Sequence, residues 1–406
     1  MRGGVVGDDD DRDPRRRPDA PLDVLYLVHD LPWPERTGYN RRIAEVIAAL
    51  PEGTTLRVVG LSDRPVPARA APAGVQVIRV PGAVSVRRRP LLLAGAMARA
   101  FFGGRPYSIA KYPVARLGQV VAAECAARPP DVVIAGTFLW DAIPEGPWRR
   151  IHDCHNIEHA LWDDFAAGTR GARRAFLRRE ARLLLRQEVR LWAEADAIIA
   201  IATEDAAVIR SAVPGAAPVV VPVRIAPPDP SVPGARRYDV GLVGAWGWAP
   251  NADAIGYFAA KILPALAAEG RSVCVAGGDL PPRLRGRLTA LGADCPGFAP
   301  DLGAFYASCR VIAAPYRKGG GVRMKVAEAL SQGCPVAGTP LAFRGMPAPP
   351  AGWIAEGAGA LVAAIGVMLR EGATVPPGYG AGHGRADQAR ALARILAPTT
   401  PSASKV

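Results

Sequence analysis

Short, continuous apolar runs separated by turn-rich segments and helical stretches recur along the chain. Residues 22–28 (LDVLYLV) form such a run, followed by the turn-rich DLPWPERTGYN and then by an apolar rhythm of helical period over 41–50. Strand, loop, helix is the expected order. Runs at 56–61 and 75–80 predict strands, 91–102 and 117–127 predict helices, and 131–135 (DVVIA) predicts another strand, whose pattern returns at 196–202 (DAIIAIA) ahead of a helix from Glu204. Strands that read as unbroken apolar runs, rather than alternating ones, belong to a parallel sheet covered on both faces. Between 206 and 238 the chain becomes proline-rich, and a domain boundary is expected there. The alternation then restarts, with strands at 239–243 (DVGLV), 272–276 (SVCVA), 311–314 and 335–338 and helices at 252–268, 283–291 and 323–332. The fold class is therefore α/β, two doubly wound units facing each other across a cleft. Such sheets place ligands outside the carboxyl ends of their strands, so the loops there carry the candidate chemistry.

Length supports that division. A chain of 406 residues suits two domains. The expected layout is a disordered tail at 1–19, an N-terminal domain at 20–222 joined by a C-terminal helix at 380–397, and a C-terminal domain at 235–375. The tail holds an Asp8–Asp11 block and an Arg15–Arg17 block without the apolar stretch of a signal peptide. No apolar run reaches the ~18 residues of a membrane span. The six cysteines lie far apart with no C-x-x-C pair, and they read as buried reduced thiols in a cytoplasmic protein, with no metal site. The formal charge of +13 rests almost wholly on arginine, as a GC-rich genome would write it, and no nucleic-acid-binding module accompanies it. Nucleic acid is not expected as a partner.

The sharpest chemistry lies at 314–339, APYRKGGGVRMKVAEALSQGCPVAGT. A strand runs into Gly319, Gly320 and Gly321, then Val322, then a helix bearing Arg323, Lys325 and Glu328. Glycines let backbone N–H groups approach closely, a helix N-terminus adds partial positive charge, and two cations stand in the first turn. A diphosphate suits all of these features.

The segment resembles the donor-binding motif of family 4 glycosyltransferases, which have the GT-B fold of two Rossmann-like domains. GLVGAWGWAPN, with Gly244 and Asn251, is similar to that family's start of the C-terminal domain; VAGGD, with Gly277, to its next strand and turn; GFAPDL, with Phe298, to its base-holding loop; and DCHNIEHALW to a segment near the sugar. The likeness runs from about residue 22 to 345. It implies a nucleoside diphosphate sugar as co-substrate with no other cofactor, Glu328 as the ribose acceptor of hydrogen bonds, Arg323 and Lys325 as the diphosphate clamp, and retention of configuration with no nucleophilic carboxylate and no metal. The family often carries a second glutamate eight positions before the first, contacting the transferred sugar; here that position is Gly320. Trp246 stands near where many members place a basic residue, which leaves the phosphate charge more dependent on Arg323 and Lys325.

On the N-terminal side, PERTGYNRR places Gly38 ahead of a helix, where it can face the same diphosphate. His155, in a loop with Asp153, Asn156 and Glu158, is the candidate sugar-orienting or catalytic side chain, with Asp153 beside it, while His152 is assigned to the preceding strand. Residues 168–192 read as one helix carrying eight arginines and two glutamates, its Leu183, Leu184 and Leu191 facing the sheet and its arginines available to an anionic membrane or acidic acceptor. The expected activity is sugar transfer, metal-independent and of hexosyltransferase type, to a small-molecule, lipid-linked or polysaccharide acceptor in bacterial natural-product or cell-surface glycan synthesis. The expected assembly is a monomer or homodimer, cytoplasmic or peripheral at the inner membrane face. A sugar-nucleotide epimerase or hydrolase of the same architecture, and a non-catalytic sugar-nucleotide-binding subunit, stand as alternatives.

Overall fold

The computed structural model describes residues 21–35, 37–62, 71–82, 90–227 and 236–397. The tail expected at 1–19 lies outside them. Two parallel sheets form the framework. The first has the order β3-β2-β1-β4-β5-β6-β7, built from β1 (Asp23–Val28), β2 (Thr55–Ser62), β3 (Val75–Pro81), β4 (Val132–Ala135), β5 (Arg149–Cys154), β6 (Ala197–Ala200) and β7 (Pro218–Val220). The second has the order β10-β9-β8-β11-β12, from β8 (Tyr238–Val243), β9 (Val273–Ala276), β10 (Asp294–Gly297), β11 (Cys309–Ala314) and β12 (Val336–Gly338). The central strand β1 is buried at every position and pairs with β2 and β4, Val24 lying opposite Leu56 and Val132. Such strands need helices on both faces, and two apolar clusters flank the first sheet.

Those helices are α1 (Gly38–Ala48), α2 (Pro90–Phe102), α3 (Tyr107–Ala110), α4 (Val114–Ala127), α5 (Glu158–Ala167), α6 (Gly171–Glu194) and α7 (Thr203–Ala212) in the first half. In the second half they are α8 (Ala249–Tyr257), α9 (Leu263–Ala268), α10 (Pro282–Ala290), α11 (Leu302–Ala307), α12 (Met324–Ser331), α13 (Ala358–Glu371) and α14 (Arg385–Leu396). The single helix expected at 252–268 is α8, a π turn over Phe258–Ile262, and α9. Pro264 accounts for the turn: it lacks an N–H, and its ring would strike the carbonyl four residues earlier in an unbroken α-helix. β7 occupies part of the proline-rich boundary stretch. It is an edge strand opening on Pro218, the place where a sheet tolerates a missing N–H. All six cysteines are free and buried.

The arginine-rich segment expected at 168–192 is one helix, α6, which begins on Gly171 at φ +59° after a break from α5 at Gly168–Arg170, but its inner face differs from the sequence reading. The buried stripe of α6 is Leu177, Glu180, Ala181, Leu184, Glu188, Leu191 and Trp192, so two carboxylates lie on the face that was expected to be apolar, while Leu183 is only partly buried. Both are fully paired. Glu188 accepts from the backbone N–H groups of Glu158 at 2.8 Å and His159 at 3.0 Å, and from the His159 ring at 2.7 Å. Glu180 accepts from the Tyr107 N–H at 2.6 Å and from Arg179 at 3.0 Å. Helices α3 and α5 open without a capping side chain of their own, and α6 supplies the anion at each of those N-termini.

The chain returns to the N-terminal domain at its end. Leu392, Ile395 and Leu396 of α14 join the cluster that contains Val24, Ile199 and Val221. Arg149 donates to the carbonyls of Ile395 at 2.9 Å and Ala397 at 2.8 Å, and buried Gln388 donates to that of Pro222 at 2.8 Å.

Because Glu188 holds the first turn of α5, Glu188→Gln should lower unfolding free energy by about 2 kcal/mol, the scale of lost charge-assisted hydrogen bonds. Chemical denaturation measures this, with Arg173→Gln on the exposed face of α6 as the unshifted control.

Candidate functional site

The carboxyl ends of the two sheets face each other, and the glycine loop after β11 lies between them. Gly319 and Gly321 adopt φ +108° and +66°, a region in which a side chain is strained. Arg323, at the N-cap of α12, does not point its guanidinium away from this loop. It donates to the carbonyls of Gly319 at 2.7 Å and Gly320 at 3.0 Å, lies over the Tyr316 ring at 5.1 Å, and is 9% exposed. Arg323 thus shapes the glycine loop, its guanidinium turned to the loop carbonyls. Lys325 remains on the open side, paired with Glu328 at 2.9 Å. Glu328 also accepts from Tyr306 Oη at 3.1 Å and, across the cleft, pairs with Arg41 of α1 at 2.9 Å. Arg41 and Tyr306 were not singled out from sequence. Arg41 had a visible signal in the arginine pair closing PERTGYNRR, whereas Tyr306 had none.

The other C-terminal residues singled out from sequence lie in and around the loops after β8, β9 and β10. A Cβ on Gly277, at φ +125°, would come within 1.9 Å of the Gly244 carbonyl, so the loops after β8 and β9 touch only because that position is bare. Trp246 explains the absence of a basic residue there. Its ring is buried between these loops, its Nε1 donating to the Ala276 carbonyl at 3.1 Å. Asn251 donates to the Ala245 carbonyl at 3.0 Å and so holds the first turn of α8 to this loop. Val322 is partly buried, with a methyl 2.6 Å from where a Cβ on Gly345 would stand. Phe298, just beyond β10, is 73% exposed and free to stack on a planar group.

From the N-terminal domain, Gly38 opens α1 behind Thr37, whose side chain accepts from the Asn40 N–H at 3.1 Å. A Cβ on Gly38 would lie 3.2 Å from Met324, so the N-termini of α1 and α12 abut across the cleft. Asp153 is the last residue but one of β5, not a loop residue as expected. It is 1% exposed, accepts a short hydrogen bond from Tyr26 and lies 3.3 Å from His155 Nε2. Asp153 is therefore placed to orient His155. Burial lowers the His155 pKa, against the opposing charge of Asp153, which keeps the ring neutral at pH 7 as a hydrogen-bonding group. His152 lies within β5, fully buried, its Nε2 3.2 Å from Thr137 Oγ1. Around His155 stand further rings: Tyr39 at 5.0 Å, His29 stacked on Tyr39 at 3.8 Å, and Tyr112 and Phe138 beyond, with Lys111 Nζ 4.8 Å from the Tyr112 ring centre. This aromatic wall had no periodic signal, because its members come from five separate loops and helix starts.

Residues 237–371 match the family described as glycosyl transferases group 1. That match spans the C-terminal domain from β8 to α13. No curated protein matches the sequence. Among solved structures, the chain is similar to WaaG, a glycosyltransferase involved in lipopolysaccharide biosynthesis, at 14% identity and TM-score 0.59 over 92% of this chain and 100% of that one. It is similar to Anabaena HepE in complex with UDP and glucose at 13% identity and TM-score 0.53, over 92% and 95%. It is also similar to an S. aureus TarM mutant in complex with fondaparinux, α-GlcNAc-glycerol and UDP at 10% identity and TM-score 0.51, covering 70% of this chain and 59% of that one. The architecture is GT-B, and the glycine loop, Lys325 and Glu328 lie within the matched residues.

Burial, with the negative charge of Glu188 added, raises the Glu158 pKa to about 8, against the opposing effects of Lys111 and Asn156. Its ordinary value is 4.5. Between those two values the folded chain keeps a proton that the unfolded chain has released, so this group's contribution to stability falls as pH rises through the window. Glu158→Gln should therefore raise the thermal midpoint relative to the parent at about pH 8.5 and barely change it at about pH 5, as measured by differential scanning fluorimetry.

Proposed function

We propose that the protein transfers a sugar from a nucleoside diphosphate sugar to a small-molecule, lipid-linked or polysaccharide acceptor. The observation that carries this is the buried Glu328 carboxylate, held by Lys325, Tyr306 and Arg41 at the foot of the glycine loop. That arrangement suits a ribose diol on Glu328 and a diphosphate against the loop amides, with Lys325 and Arg41 within reach of its charge. Breaking the bond between the sugar and the diphosphate leaves negative charge on the leaving oxygen, and preorganised N–H groups and cations stabilise it there without a metal. In a retaining course the acceptor oxygen attacks from the face the diphosphate leaves, and its proton passes to the departing phosphate. Phe298 is assigned to the base, Gly38 to the diphosphate from the opposite side, and the wall of His155, Tyr39, Tyr112 and Phe138 to the acceptor. A hexosyl donor is the proposed class.

Peripheral contact with the cytoplasmic face of a membrane belongs to the same proposal. Among the described residues no helix is long and apolar enough to cross a membrane. Helix α2 nevertheless exposes Leu91 at 87%, Phe101 at 69% and Phe102 at 90%, while Arg173, Arg178, Arg182 and Arg186 are exposed on α6. The two helices adjoin, Arg179 donating to the Ala100 carbonyl at 2.6 Å and lying over Phe101. Apolar side chains flanked by arginines suit an anionic lipid interface.

A thermal-shift panel of UDP, GDP, ADP and TDP should show stabilisation by one base above the others. Lys325→Ala should weaken that nucleotide at least about tenfold and abolish transfer. Unchanged turnover in Lys325→Ala would overturn the clamp. Nucleotide release that proceeds equally without acceptor would favour a hydrolase, and binding without any turnover a non-catalytic subunit. For the membrane contact, the doubly substituted Phe101→Ser, Phe102→Ser protein should lose co-sedimentation with vesicles containing anionic lipid.

A further inference from the structure

The middle glycine of the loop has a different reason from its neighbours. Gly319 and Gly321 sit at positive φ, but Gly320 does not, so its backbone would accept any residue. Space is what forbids one. A Cβ on Gly320 would lie 2.0 Å from Asn156 Oδ1, 3.0 Å from its Cγ and 3.3 Å from its Nδ2, and a Cβ on Gly321 would meet the His155 carbonyl at 3.0 Å. The loop between β5 and α5 of the N-terminal domain is thus pressed onto the anion loop of the C-terminal domain. The Asn156 carboxamide stands in the volume that a side chain at position 320 would occupy.

The state of that carboxamide is informative. Its Nδ2 is directed to Glu158 Oε1 at 3.4 Å, which orients the group, while Oδ1 is buried with no hydrogen-bond partner. A buried amide oxygen without a donor is unfavourable, and beside a loop shaped for a diphosphate the natural donor is a hydroxyl of what that diphosphate carries. The flanking segment is rigid, since Glu188 binds the N–H groups of Glu158 and His159. The oxygen is therefore held in place before any ligand arrives, as a specificity contact requires.

We propose that Asn156 is a specificity-determining residue: its Oδ1, delivered from the opposite domain into the space left by Gly320, accepts a hydrogen bond from a hydroxyl of the transferred sugar. This rests on the donor reading given above. It assigns to a neutral amide on the N-terminal domain the sugar contact that an acidic side chain at position 320 would otherwise make. Two consequences follow chemically. The contact forms only when the domains are closed, so sugar recognition and closure are one event. The contact also carries no charge, so it selects a hydroxyl donor without adding a second negative group beside the diphosphate.

The test compares affinities for a nucleotide and its sugar derivative by calorimetry: UDP with UDP-glucose and UDP-N-acetylglucosamine, and GDP with GDP-mannose. In the parent protein, one sugar derivative should bind more tightly than its own nucleotide. Asn156→Ala should erase about tenfold of that advantage while the bare nucleotide stays within about twofold. Gly320→Ala, whose methyl must displace the carboxamide, should erase a similar factor, and the double variant should lose no more than either single one, because both act on one contact. An unchanged sugar advantage in Asn156→Ala, or additive losses in the double variant, would overturn the assignment while leaving the donor site standing. Failure of the parent to bind any of these nucleotides would overturn the donor site and this assignment with it.

Discussion

A carboxylate taken out of water must be paired, and Glu328 is paired from both halves of the molecule. Lys325 and Tyr306 reach it from its own domain, and Arg41 comes from α1 of the other. Burial of this one group therefore depends on the two domains standing together. With Arg41 on Glu328, the start of α1 is drawn to the start of α12, and the positive ends of two helices converge on the same small volume. The glycine loop sits beside it, shaped by Arg323. Charge, helix polarity and backbone amides are thus concentrated where a doubly charged leaving group would need them, and the closing of the cleft is what completes the set.

A second buried carboxylate does comparable work at a distance. Glu188 has no exposure and satisfies the open end of α5, which begins two residues after Asn156. Glu180 does the same for α3, the short helix that leads into Lys111 and Tyr112. The long arginine-rich helix therefore acts as a scaffold for these loops: its inner face orders them, while its outer face carries Arg173, Arg178, Arg182 and Arg186.

Much of the architecture was readable in the chain because parallel strands covered on both faces cannot be anything but apolar runs, and those at 22–28, 131–135 and 239–243 became β1, β4 and β8. β7 escaped because it is three residues long, opens on proline and borrows its stability from β6. The helix read at 168–192 became α6, since its length and apolar spacing are local properties. Glu180 and Glu188 read as surface charges since nothing local shows that a backbone amide 73 or 30 residues away needs an acceptor. The site follows the same rule. Gly319 to Gly321, Lys325 and Glu328 form one contiguous motif and were legible, whereas the direction of the Arg323 guanidinium, the Arg41 partnership and the seat of Asn156 on Gly320 are products of tertiary contact.

The return of α14 to the first domain means that the chain crosses between the domains twice. The described parts of those crossings are laced together: the Ile225 N–H donates to the His383 carbonyl at 2.9 Å, the His383 ring lies 3.1 Å from the Val223 carbonyl, and Gly380 leaves room for the Ile225 carbonyl, which a Cβ there would approach to 2.5 Å. A single tether lets two bodies swivel in any direction. A two-ply strap resists twisting and sideways shear, because both plies must deform together, and leaves bending across the strap as the compliant motion. Any change in the width of the cleft opposite is thereby confined to bending along one line, which keeps the same faces in register.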